Sequence, residues 1–306
     1  MFRTSSHARG SRVVSICAIL ASSALMLSAC GGTNAATNTS ESPAAKSQDF
    51  DQALHDALPA AYKGKKIKVG AFNDWPPDEF MEDGQLKGWS IDMAAAIFGV
   101  LGVDYSIEGT TFESVIPGLA TKRYDAGFAS FGVTPDRLKS LDFIPQRKEG
   151  TAYGSLASAP IKVDSTADLC GHSVAVLTGA WDYQYLLEES KKNCSANPID
   201  LKQFTTQNDA ELAVSSKRVE IVAAGSAKLL YSAKQTGTTY VSDLLSNPVY
   251  NGIGVTKGNP LGESIRSAIQ VLIDNGRYKE VLDKWGVGTQ GLLEKAVLVT
   301  ENNPNP

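Results

Sequence analysis

The residue best placed to do chemistry in this chain is the arginine of "FGVTPDRLKSLDF", residues 131–143. A Gly-Val-Thr-Pro turn leads straight into Asp136-Arg137, where a strand-like run stops and a helix starts. A guanidinium presents a planar fork of donors that matches two carboxylate oxygens, and it stays charged near neutral pH. Backbone N–H groups at the adjoining helix start favour an anion as well. Arg137 is therefore either a solvated helix-start charge or the anchor for an anionic group, and the rest of the chain must separate the two.

Few other side chains offer reactive chemistry. The three histidines, His7, His55 and His172, are far apart, and only His172 lies near cysteines, so no metal site and no cofactor is expected. Residues 1–29 read as an export leader: Arg3, Arg9 and Arg12 precede the apolar "VVSICAILASSALML", which is short for a membrane span. The leader ends in "LSAC", which resembles a bacterial lipobox and implies lipidation of Cys30. The stretch after it, "GGTNAATNTSESPAAKSQD", has no large apolar residue, and residues 30–62 are read as a lipidated cysteine and flexible tether. A two-chain lipid would hold the protein durably on the outer face of a membrane. Cys17 leaves with the leader, so Cys170 and Cys194 remain in an oxidising compartment and are expected to pair. Without the leader's three arginines the balance is 26 Lys+Arg against 33 Asp+Glu, a net charge of −7 with no basic run. Nucleic acid is not an expected partner.

The elements that must position Arg137 alternate. "KIKVGAF", "VDYSIEG" and "YDAGFASFG" read as strands separated by the helices "DMAAAIFGVLG" and "ESVIPGLATK". The alternation restarts after about residue 147 with "SVAVLTG", "LKQFT" and "VEIVAA", and the chain closes with "NGIGVTKG" and two helices. This pattern predicts an α/β protein with parallel pairing. At 306 residues it also predicts two lobes: residues 63–150, then 151–249, then a return segment 250–290 to the first lobe, with 291–306 as an appended tail.

From Lys66 to Gly288 the chain resembles the solute-binding proteins of amino-acid ABC importers, the glutamine- and histidine-binding class. The resemblance rests on "DWPPDEF", "GQLKGWSIDMAAAI", "TTFESVIPGL", "GVTPDRLKSLDF", "SVAVLTGAWDYQYL" and "NGRYKEVLDKWG" in that order. It implies the type II periplasmic-binding-protein fold, two lobes each with a mixed, mostly parallel sheet. It also implies a clam-shell binder, a monomer and not an enzyme, that delivers its solute to a membrane permease. In that register Arg137 clamps the solute's carboxylate, while Trp75 and Phe112 supply aromatic faces. Ser130 and Gly132 line the strand end, and Thr178, Gly179, Ala180 and Trp181 lie at a helix start in the second lobe. The hinge is expected near residues 148–154 and 249–251.

Three departures bear on the solute. Gly132 and Ala180 replace residues that usually carry a hydroxyl. Gly225 stands where the family places an aspartate against the solute's ammonium. Either another acid, Asp74, Asp78 or Asp182, supplies that charge, or the solute is a betaine-like, ectoine-like or aromatic carboxylate with no free α-ammonium. Two rival classes are a dehydratase on the same scaffold, which would need a positioned acid or base, and a freestanding sensor.

Overall fold

The computed structural model describes residues 39–42, 48–288 and 291–306. Cys30 and the leader lie outside these residues. The elements of the first lobe are β1 (Thr39–Ser42), α1 (Gln52–Asp56), β2 (Ile67–Phe72), β3 (Asp74–Trp75), β4 (Glu79–Glu82), β5 (Gln85–Lys87), α2 (Trp89–Leu101), β6 (Tyr105–Thr110), α3 (Phe112–Ala120), β7 (Ala126–Gly132) and α4 (Pro135–Leu138). The long strand β8 (Leu141–Leu156) crosses to the second lobe. Beyond it come β9 (Ser173–Leu177), α5 (Trp181–Asn193), β10 (Asp200–Phe204), α6 (Gln207–Ser215), β11 (Ile221–Gly225), α7 (Ser226–Thr236) and β12 (Thr239–Val241). Strand β13 (Ser246–Thr256) returns to α8 (Leu261–Asp274) and α9 (Arg277–Lys284).

Each lobe keeps its own parallel set, β6-β2-β7 in the first and β11-β9-β10 in the second. The crossover strands pair antiparallel with each other and with their neighbours, β13 against β7 and β8 against β11. One hydrogen-bonded sheet therefore runs through both lobes, with β8 and β13 as its waist. Their register shifts between Asn251 and Gly252, at the place the sequence marks as the hinge. Apolar runs such as "IKVGAF" and "IVAAG" are buried on both faces because helices cover each side of the parallel strands. Burying each of these Val, Ile or Phe side chains contributes about 1.5–3 kcal/mol. Cys170 and Cys194 are disulfide-bonded across a sequence separation of 24, which in the chain-entropy model stabilises by roughly 3 kcal/mol.

Two boundary expectations are corrected. Composition makes residues 30–62 a lipidated cysteine and tether, but β1 (39–42) pairs with β6 and α1 docks on the first lobe. Asp51 donates its backbone N–H to Val100 O at 2.9 Å, Leu58 is buried, and Tyr62 bonds Asn259. The polar composition hides the single apolar anchors Leu54, Leu58 and Tyr62, which pack on α2 and α8. Residues 291–306 are likewise no appendage, because Leu293, Ala296 and Val299 are buried. Val299 bridges Phe143, and Gly291 O accepts from Lys148 N at 2.8 Å, so this segment braces the crossover strand.

Candidate functional site

The loop between β2 and α2 forms one wall of the interlobe cleft. β3, β4 and β5 make a small antiparallel sheet of their own, and the Pro76–Pro77 bond inside it is cis. Gly88 has φ +133, and a Cβ there would overlap the Asp78 carbonyl, so only glycine lets α2 begin against this loop. Trp89 N and Ser90 N then donate to Pro77 O and Asp78 O, both at 3.0 Å. This clamps Trp75 into the cleft and turns Asp78 and Glu79 inward, where both are fully buried.

Arg137 sits where the sequence pointed. Thr134 caps α4 and Pro135 opens it, so the arginine emerges at the end of β7. Its Nη1 donates to Gly132 O of the first lobe at 2.7 Å and its Nη2 to Gly179 O of the second lobe at 2.8 Å. The guanidinium lies 5.5 Å from the ring centres of both Phe112 and Phe131. Burial lowers its pKa to about 10, an effect the nearby Asp182 opposes, so it remains charged at neutral pH. One cation thus grips backbone carbonyls from both lobes.

The aromatic expectations fall together. Trp75, Phe112, Ala129, Ser130, Leu177, Ala180 and Trp181 enclose a void of only about 10 Å³. Trp181 also walls a larger cavity of about 510 Å³ on the far side, which Arg137, Gly179 and Tyr185 line. The indole is the partition between the two. Thr178 is turned away from both, its Oγ1 donating to Phe204 O at 3.0 Å. Ala180 starts α5 without a side-chain cap.

Two of the departures noted in the sequence, Gly132 and Gly225, prove to be paired exchanges of volume. A Cβ on Gly132 would lie 2.5 Å from the Trp181 ring, so the missing side chain at 132 is the seat of the indole. A Cβ on Gly225 would lie 2.8 Å from Cδ of Glu149, so the missing aspartate makes room for a glutamate from β8. The Glu149 carboxylate accepts from Ala227 N at 2.7 Å, Ser226 Oγ at 3.4 Å and Asn251 Nδ2 at 3.1 Å.

Sequence reading misses Glu149, Arg147 and Glu79. The available signal is a charged or polar residue at every second place, Arg147, Glu149 and then Thr151, on one face of an otherwise buried strand. Of the three acids offered as substitutes, Asp74 instead joins the lobes at the rim, accepting from Asn208 N at 3.1 Å. Asp78 and Asp182 belong to the interior set. Asp78 accepts from Trp89 Nε1 at 2.7 Å and Ser130 Oγ at 2.6 Å, and Asp182 accepts from Thr151 Oγ1. Ser130, expected to present its carbonyl, instead spans Asp78 and Glu79 with its hydroxyl while holding φ at +41. Backbone strain of this kind gathers at working sites.

Four buried carboxyls, Asp78, Glu79, Glu149 and Asp182, thus surround the waist with Arg147. Burial, helped by Glu149, raises Asp78 to about 6, and burial raises Asp182 to about 7 against the pull of the Thr151 bond. Glu79 is pushed well up by burial and by Asp78. Between the unfolded pKa near 4 and these folded values, the native state binds more protons than the unfolded chain. Stability contributed by these groups is therefore present below about pH 4 and lost as pH rises toward 7. Without added solute the melting temperature should fall from pH 5 to pH 7.5 at constant ionic strength, and Asp182→Asn should flatten the upper part. A melting temperature that climbs over this range would contradict the assignment.

Glu79 Oε1 and Asp182 Oδ2 have no hydrogen-bond partner, which leaves acceptors ready for donors. Among the described residues no three His, Cys, Asp or Glu side chains converge as metal ligands.

Known proteins share this fold. A profile of the bacterial extracellular solute-binding proteins, family 3, matches residues 67–288. The chain is 27% identical to the L-arginine-binding protein of Pseudomonas aeruginosa, over 75% of this chain and 91% of that one. It is 26% identical to the arginine-binding protein ArgT of Corynebacterium glutamicum, over 76% and 77%. An ancestral arginine-binding protein bound to arginine superposes with a TM-score of 0.66 at 29% identity, over 72% of this chain and 98% of that one. AncCDT-1, an ancestral amino-acid-binding protein and precursor of cyclohexadienyl dehydratase, superposes at 0.65 with 26% identity, over 76% and 99%. With two lobes joined by crossover strands and a charged cleft between them, this chain belongs to the bacterial extracellular solute-binding proteins, family 3, and its task is to capture a small solute outside the cell.

Proposed function

We propose that the solute is a cationic amino acid or a close derivative, of the arginine type, held for an ABC permease. The observation that carries this reading is the opposed charge of the cleft. Arg137 bridges the lobes on one side, and the carboxyls of Asp78, Glu79, Glu149 and Asp182 lie buried on the other. The α-carboxylate would meet Arg137, and the cationic groups would meet the acids. Glu149 takes over the role vacated at Gly225, so a free ammonium is matched after all. This favours an amino acid over a betaine, an ectoine or a neutral aromatic acid. Trp75, Phe112 and Trp181 supply flat faces for a delocalised cation. Trp181 must withdraw for the solute to enter the 10 Å³ void, and separation of the lobes about β8 and β13 would withdraw it.

A thermal-shift panel tests the reading, because a ligand that binds only the folded state stabilises by RT ln(1 + [L]/Kd). L-Arginine, L-lysine and octopine should raise the melting temperature more than glutamine, glycine betaine or ectoine. A response to betaine or an aromatic acid with none to any cationic amino acid would overturn it. Scattering at saturation should show a smaller radius of gyration.

Cys30 would carry the lipid, with the residues between it and β1 as tether and the folded part acting as a monomer. Cys30→Ala should release the protein into the medium, and continued membrane retention would refute the anchor.

One observation favours a second reading. Asp182 is a buried acid held near pH 7 with an unpartnered oxygen, as a general acid must be. Turnover of prephenate or arogenate by purified protein, abolished by Asp182→Asn, would establish an enzyme. Binding without turnover supports the transport role.

A further inference from the structure

A separate pocket of about 250 Å³ opens between the lobes away from Arg137. Its first-lobe wall is Pro77 with Trp285 and Val287, its second-lobe wall is α7 through Ala227 and Tyr231, and Arg147 of the crossover strand forms part of the lining. Two features set its chemistry. The charged side chains in the lining are Arg147 and Lys234, and none is acidic. Arg147 is only 4% exposed, yet its Nε and Nη1 have no hydrogen-bond partner; of its acidic neighbours, Glu149 stands 3.9 Å from Nη2 and Asp78 interacts with its charge without a hydrogen bond. The Glu149 carboxylate is already engaged by Ala227 N and Asn251 Nδ2. A buried guanidinium short of acceptors beside an exposed ammonium is a receptor for an anion. The aromatic walls are fixed: Phe80 lies 5.9 Å from Trp285 and 6.5 Å from Tyr231, and Trp285 Nε1 donates to Asp92 at 2.8 Å.

We propose that this pocket is a second ligand site, distinct from the solute site at Arg137, for a small carboxylate with a flat apolar body. Its carboxylate faces Arg147 and Lys234, and its body lies against Tyr231 and Trp285. Both lobes and the crossover strand contribute walls, so an occupant links the lobes and reinforces their closure.

Sodium benzoate is the probe, with benzamide as its uncharged isostere, each titrated into the full folded chain by calorimetry and Trp fluorescence. Benzoate should bind saturably at one site and benzamide at least tenfold more weakly. Lys234→Glu, on the exposed rim where folding is not at stake, should weaken benzoate at least fivefold, and Arg147→Met at least tenfold. Arg137→Met should remove the response to L-arginine yet keep saturable benzoate binding that Lys234→Glu still weakens, which separates this site from the solute site. The proposal is overturned if benzoate fails to bind, if benzamide binds equally well, or if Arg137→Met removes benzoate while Lys234→Glu does not.

Discussion

Replacing Arg137 with methionine is expected to weaken solute binding by roughly 30- to 5,000-fold, since truncating one partner of a buried, hydrogen-bonded charge pair costs about 2–5 kcal/mol. The guanidinium has two arms at work, one on Gly132 O and one on Gly179 O. A carboxylate arriving in the cleft would compete for the same fork. Losing it removes the anion's counter-charge and the tie between the lobes together. Arg137→Lys should fare nearly as badly, because an ammonium is a point charge without a planar fork and cannot reproduce the two-armed geometry. Calorimetric titration with L-arginine measures the effect, with circular dichroism as the control for folding. Binding by Arg137→Met within threefold of the parent would remove Arg137 from the site.

The second large effect concerns the exchange between Gly225 and Glu149. Gly225→Asp restores the residue type that the family resemblance implies, yet it should be the most damaging single change in the cleft. Its Cβ would come within 2.8 Å of the Glu149 carboxyl, and its charge would be buried beside one already fixed by Ala227 N and Asn251 Nδ2. Overpacking plus an unpaired buried charge should destabilise by about 3 kcal/mol or more, lowering the melting temperature by roughly 6–12 °C at this domain size. Adding Glu149→Ala removes both the collision and the repulsion, so the double variant should regain most of the stability and its response to a cationic solute. Glu149→Ala alone should keep the fold and lose at least tenfold in affinity. The three variants and the parent form a double-mutant cycle whose coupling reports the exchange. Additive effects, with Gly225→Asp as stable as the parent, would show that the two positions do not share one space.

The same logic extends to Gly132 and Trp181. Both exchanges put a large side chain where a hydroxyl or acid would be expected and remove the opposing side chain to glycine. Their consequence for function is a cleft that is narrow at its aromatic end and acidic at its waist.

Much of this is legible in the chain itself. The order of strands and helices derives from local hydrophobic periodicity, and the disulfide from the two cysteines that remain once the leader expected from the sequence is set aside. The position of Arg137 just after β7 derives from a Thr-Pro pair that suits a helix start, with Thr134 as cap and Pro135 as first residue. Gly225 can be recognised as a departure, because a residue type is visible without any coordinates. Its replacement cannot be seen in the same way. Glu149 is 76 positions away along the chain, and only the antiparallel pairing of β8 with β11 brings it over Gly225. The docking of residues 48–62 and 291–306 is hidden for a related reason: a few scattered apolar anchors carry no periodicity, and their burial depends on surfaces built elsewhere. Local sequence determines which elements form, since that depends on neighbours within a few residues. Which charges meet inside the cleft is decided by long-range strand pairing, and that is a property of the tertiary structure alone.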